Sequence, residues 1–179
     1  MKHSWLIQEA KKWVGVHETS DNRGPVIDQF ILKTGGSLGQ PWCVSYVRYC
    51  ALQVDKDFNE IYAVKKELHE KNTLPKTSSV MKLWDLSPEE AKSITPIEGY
   101  IACWQHFNSK GNASGLGHCG IVGRVLEEGR WFDSYEGNTG PGNGIERDGD
   151  GVFLKMRSCQ GSPRFRLMGF VNPWYKLDE

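Results

Sequence analysis

The stretch QPWCVSYVRYC, residues 40–50, sets a cysteine directly after a Pro-Trp pair, at the head of an apolar run. Val44, Val47, Ala51 and Val54 recur at spacings of three or four, which predicts a buried helix over 42–54. A cysteine at a helix start lies among unpaired N–H groups and at the positive end of the dipole. Both favour the thiolate, the form that attacks carbonyl carbon. Cys43 is therefore the candidate nucleophile. Cys50 falls seven residues later, in mid-helix, without that environment.

A nucleophilic thiol needs a base, and the base needs an acceptor to orient it. Of the five histidines, His118 stands out. It follows Gly117 and opens the strand-like run HCGIVGRV. The next run, RWFDSYEGN, is joined to it by a tight turn over Glu127 to Arg130. Antiparallel pairing brings the far end of that second run beside His118. Glu136 and Asn138 lie there, two residues apart and so on one face of a strand. One of the two holds the imidazole.

Taken singly, each residue has an ordinary structural explanation. A lone cysteine is more often inert core, a histidine at a strand start is usually structural, and an acid before Gly-Asn is most often a turn. Their order and their settings in helix and strand argue for chemistry. Three neighbouring features argue against other chemistries. Glu146, Asp148, Asp150 and Gly151 sketch a calcium loop, but its twelfth position is Arg157, where a bidentate Glu is required. The loop GPGNG, residues 140–144, is followed by no Lys-Ser/Thr. Cys103, His118 and Cys119 lack zinc spacing. No metal and no cofactor are expected.

The elements that must hold these groups change period midway. Residues 4–15 read as a helix with Ser4 as cap and Gly15 as stop, and 25–34 as a short second helix. Residues 55–95 are polar, with helix-compatible pieces such as YAVKKELHEK and SPEEAKS interrupted by Pro75 and Pro88. They read as a helical insertion. GYIACWQHF, LGHCGIVGRVLEE, RWFDSYEGNTG, GVFLKMRS and RFRLMGFVNPW then read as short strands separated by turns. Helices first and an antiparallel sheet second give an α+β domain, a single one over 1–179.

The totals narrow the class. With 22 basic and 22 acidic residues the formal net charge is zero, so nucleic acid is not an expected partner. No apolar run is long enough to span a bilayer. Gln8 and Glu9 interrupt the segment where a Sec signal would be apolar. Five cysteines, an odd number, leave at least one free thiol and suggest synthesis in a reducing cytoplasm. A monomer is expected.

PWCVSYVRYC, GHCGIVGRV and YEGNTG resemble the three signature blocks of the CHAP family of cysteine amidohydrolases and peptidases, papain-like enzymes many of which cut bacterial peptidoglycan. AKKWVGVHETSDNRGPVIDQF resembles the segment before the cysteine in phage-borne members, and the similarity runs over roughly residues 10–175. The resemblance implies a papain-like fold, Cys43 as nucleophile, His118 as general base, Glu136 as its orienting acid and Asn138 as a fourth polar member. It implies an oxyanion site at the backbone N–H groups near Cys43, with Gln40 and Asn22 as candidates for a second donor. Trp42, Gln40 and Trp104 are expected to contact substrate. Trp84, Trp104 and Trp131 fit either a sugar-binding groove or, more commonly, core. Cys119 departs from the aliphatic residue usual in the second block. Alternation points it away from the face His118 uses, as a small core residue.

The implied substrate is an amide of peptidoglycan, at the muramoyl-L-alanine bond or within the stem peptide. The implied setting is a phage or prophage lysin, or an injected antibacterial effector, made in the cytoplasm and acting on the wall after release or injection. Without a wall-binding repeat domain, affinity is expected from the catalytic domain or a partner. Two rival readings remain: a small-molecule amidase, and a silent wall-binding or virion module of the same fold.

Overall fold

The computed structural model describes residues 1–62, 71–142 and 149–177. Parts of two sequence expectations lie outside them: most of YAVKKELHEK, and residues 143–148 of the Gly-rich loop and calcium-like motif. Among the described residues, four helices come first: α1 (Lys2–Lys12), α2 (Pro25–Lys33), α3 (Cys43–Tyr62) and α4 (Val80–Leu86). Six strands follow: β1 (Lys92–Ser93), β2 (Ile101–Phe107), β3 (Ala113–Leu126), β4 (Trp131–Thr139), β5 (Gly151–Ser158) and β6 (Phe165–Val171). The strands form one antiparallel sheet in the order β1-β6-β2-β3-β4-β5. The expected α+β class is observed. No helix among the described residues is long and apolar enough to cross a membrane.

The sheet separates two cores. On one face α1, α2 and α3 bury Leu6, Phe30, Val47 and Cys50 against Cys103, Cys119, Ile121 and Tyr135. On the other, Trp104, Val122, Phe132, Phe165 and Phe170 form a smaller aromatic cluster. Adjacent strand residues point to opposite faces, so Cys103 and Cys119 belong to the first core while Trp104 belongs to the second.

Several expected boundaries move. Helix α1 begins two residues before Ser4, and Ser4 Oγ donates to the Met1 carbonyl rather than capping. Helix α3 continues to Tyr62, because DKDFNEIY is as good a helix former as the run before it. The expected insertion over 55–95 therefore opens as two more turns of α3. Within SPEEAKS, Glu89–Ala91 form a single 3-10 turn and Lys92–Ser93 pair with Phe170 and Val171 at the sheet edge. The turn between β2 and β3 lies between Phe107 and Ala113. It closes at Asn108–Asn112, where Asn108 N–H donates to the Asn112 carbonyl.

Candidate active site

Cys43 is the first residue of α3, and the first intrahelical bond runs from Tyr46 N–H to the Trp42 carbonyl (2.9 Å). The N–H groups of Cys43, Val44 and Ser45 therefore precede the helical ladder. This start is anchored from the side. Trp42 Nε1 donates to Glu18 Oε1 (2.7 Å), and the other oxygen of Glu18 accepts the Asn22 N–H (2.7 Å). Trp42 also packs on Gly137, where an added Cβ would lie 2.6 Å from its ring. The loop over 18–22 and strand β4 thus fix the residue that precedes the thiol.

His118 lies on β3 directly opposite Trp104 on β2. The two rings stack, with centroids 6.0 Å apart at 28°. Phe165 stacks on the same indole at 5.2 Å. One imidazole nitrogen, Nε2, lies 2.9 Å from Glu136 Oε2, and the Cys43 thiol is near enough to the ring to raise its pKa. Register alone would place Glu136 opposite residue 120. That residue is Gly120, where an added Cβ would come 2.4 Å from Ser134 Oγ and 2.6 Å from Glu136 Cγ. The missing side chain leaves room for the carboxylate to reach diagonally along the sheet to His118.

Glu136 is fully buried, and a buried carboxylate requires compensation. Arg157 on β5 supplies it as a two-pronged fork, Nε to Oε1 at 2.7 Å and Nη2 to Oε2 at 2.5 Å. Its guanidinium also covers the faces of Trp104 and Phe165 (5.7 and 5.3 Å). Burial pushes the Glu136 pKa up, but the Arg157 fork and His118 outweigh it and hold the group at about 2. The carboxylate stays ionised at any working pH.

The electrostatics of the dyad follow. Burial pushes the His118 pKa down, but Cys43 and Glu136, which accept from the charged ring, raise it to about 9. The Cys43 thiol is pulled well below its usual value, first by a hydrogen bond from the Cys119 thiol, against burial, and then by His118. Both shifts favour the thiolate–imidazolium pair, the form in which a thiol attacks carbonyl carbon. Cys50, Cys103 and Cys119, all buried, have raised pKa values, led by burial. Among the described residues no group of three or more His, Cys, Asp or Glu is arranged to hold a metal ion.

Several expected residues do something other than predicted. Asn138 makes no hydrogen bond to His118. It adopts φ 57°, interrupts the β4–β5 ladder between Glu136 and Thr139, and leaves its buried Oδ1 without a partner. The left-handed backbone breaks the alternation that would have set it beside Glu136. Trp42 and Trp104 have essentially no exposed surface, so neither indole meets a ligand. Trp42 fixes the helix start and Trp104 floors the imidazole. Gln40 is half-buried and lines a cavity beside α3. The Asn22 amide donates to Asp21 (3.0 Å).

Cys119 does point into the helix-facing core, as alternation requires. Cys43 belongs to the same core, and Cys119 and His118 both lower its pKa. Arg157, Glu18 and Gly120 were not foreseen. One signal for Arg157 lay in the sequence: a carboxylate buried beside a histidine calls for a further cation, and KMR in the following strand offers one.

Comparison with family models, curated proteins and solved structures gives no match.

Proposed function

We propose that this protein is a cysteine-dependent hydrolase of amide bonds in bacterial peptidoglycan, papain-like in architecture and related to CHAP enzymes. The observation that carries the reading is the chain of contacts from the Cys43 thiol through His118 to Glu136, with the carboxylate clamped by Arg157. A binding module has no use for a thiol, a base and a buried acid in that order. The wall as substrate rests on the resemblance of the three sequence blocks.

In this reading the Cys43 thiolate attacks the amide carbonyl carbon. The tetrahedral oxyanion is stabilised by backbone N–H groups at the start of α3. Imidazolium His118 then gives its proton to the departing amine, leaving a Cys43 thioester. Neutral His118 next takes a proton from water, the hydroxide adds to the thioester, and the carboxylic acid leaves as the thiolate re-forms. Glu136 keeps the imidazole oriented and favours its charged form throughout, and Arg157 keeps Glu136 ionised. The proposed setting is a lysin or injected effector acting as a monomer on the wall.

Digestion of purified peptidoglycan by wild type and by Cys43→Ala, followed by mass spectrometry, tests this. Wild type should release fragments whose new termini identify the bond cut, and the variant none. Intact wall of several types after exposure to the wild type would refute the substrate assignment.

A further inference from the structure

A cavity of about 420 Å³ opens beside the start of α3. Gln40 and Ser45, which flank Cys43 in sequence, contribute to its wall, and Arg48, Lys76 and Ser78 are among its other polar lining residues. Two residues beyond Ser78, Val80 closes on Gly117, the neighbour of His118, where an added Cβ would lie 2.9 Å from Val80 Cβ. The cavity therefore opens beside the first turns of α3, and the segment that carries Ser78 leads directly to the neighbour of His118.

Its chemistry is one-sided. Arg48 and Lys76 are in the lining and no carboxylate is. Arg48 is only 9% exposed. Its Nη1 donates to the carbonyls of Thr34 and Thr77 (2.7 and 3.4 Å), while Nε and Nη2 make no hydrogen bond among the described residues. A buried guanidinium normally has a carboxylate partner. Arg157, elsewhere in this chain, has one. Burial lowers the Arg48 pKa with no acid to oppose it. Gln40 Nε2, a second donor in this lining, is likewise buried without a partner.

We propose that this cavity is a carboxylate-recognition subsite: Arg48, with Lys76 at its rim, receives a free carboxylate of the acidic peptide whose amide bond Cys43 attacks. The free edge of a guanidinium matches the two oxygens of a carboxylate. Wall stem peptides carry such groups along their length and at their ends. Their identity as the ligand rests on the hydrolase reading above. The unpaired guanidinium does not.

The experiment is calorimetric binding to Cys43→Ala protein, which cannot turn over. The probes are a synthetic stem tetrapeptide with its carboxylates free and the same peptide with every carboxylate amidated. The acid form should bind and the amidated form should bind about tenfold or more weakly, the scale of one charge-assisted pair. Arg48→Lys keeps the charge and loses the fork. Lys76→Gln alters an exposed residue and leaves the core intact. Each, added to Cys43→Ala, should weaken the acid form and leave the amidated form unchanged, with urea midpoints confirming the fold. Equal binding of both peptides, binding of neither, or parental affinity in both variants would overturn the proposal. The hydrolase reading is judged separately: wild type that digests wall while its Cys43→Ala form ignores the carboxylates loses only the subsite.

Discussion

Replacing Glu136 by Gln keeps the volume of the side chain and removes the one negative charge between two cations. A carboxylate held at about 2 against an ordinary 4.5 favours the folded state by about 3 kcal/mol at neutral pH. Because the folded pKa is the lower one, that contribution is complete above about pH 4.5 and disappears as pH falls through about 2. Breaking a buried pair by removing one partner costs about 3–5 kcal/mol. The two figures describe the same interaction, so Glu136→Gln should lose about 3–5 kcal/mol in urea unfolding at pH 7. The cause is the buried Arg157 guanidinium, which loses its fork onto Glu136. Adding Arg157→Met removes that buried charge as well, and the double variant should recover most of the loss.

The chemistry should not recover with it. Without Glu136 nothing offsets the burial of the imidazolium except Cys43, so His118 titrates lower and the thiolate loses its counter-ion. Alkylation of Cys43 by iodoacetamide at pH 7, followed by peptide mass spectrometry, should slow by about tenfold or more in both variants. A double variant that is stable and alkylates within twofold of wild type would refute the role given to Glu136. A single variant as stable as wild type would refute the role given to Arg157.

Two further outcomes follow from packing at the same site. Cys119→Ala removes the neighbouring thiol that most lowers the Cys43 pKa, so the pH profile of Cys43 alkylation should move to higher pH, with a buried-methylene-scale loss of stability of about 1 kcal/mol. An unmoved profile would leave Cys119 as core packing alone. Gly120→Ala places a methyl group within 2.4 Å of Ser134 Oγ and 2.6 Å of Glu136 Cγ. It should lower stability by about 1–3 kcal/mol and slow Cys43 alkylation by displacing the acid from His118, and a variant matching wild type in both measurements would contradict the stated geometry.

How far the sequence reaches depends on how local each determinant is. The start of α3 at Cys43 follows from Pro41 and the apolar spacing behind it, all within one short stretch. The meeting of His118 and Glu136 needs only one hairpin, and the tight turn at Glu127–Gly129 fixes which end of β4 returns to His118. Choosing between Glu136 and Asn138 needed more, because the left-handed backbone at Asn138 ends the alternation on which the choice would rest. Arg157 lies one strand further, and its partner is set by the β4–β5 register, which no short-range pattern encodes. Trp42 and Trp104 show the opposite limit. Composition identifies large aromatic residues but not which side of a sheet is covered, and here the cores on both faces absorb them. Arg48 was hidden for the same reason. On a helical wheel it is one more polar residue, and only the third dimension reveals that this guanidinium of α3 is buried with no acid among the described residues to meet it. Charge balance over the whole chain is zero, yet charge balance within this cavity is not, and that local excess is what a bound carboxylate would neutralise.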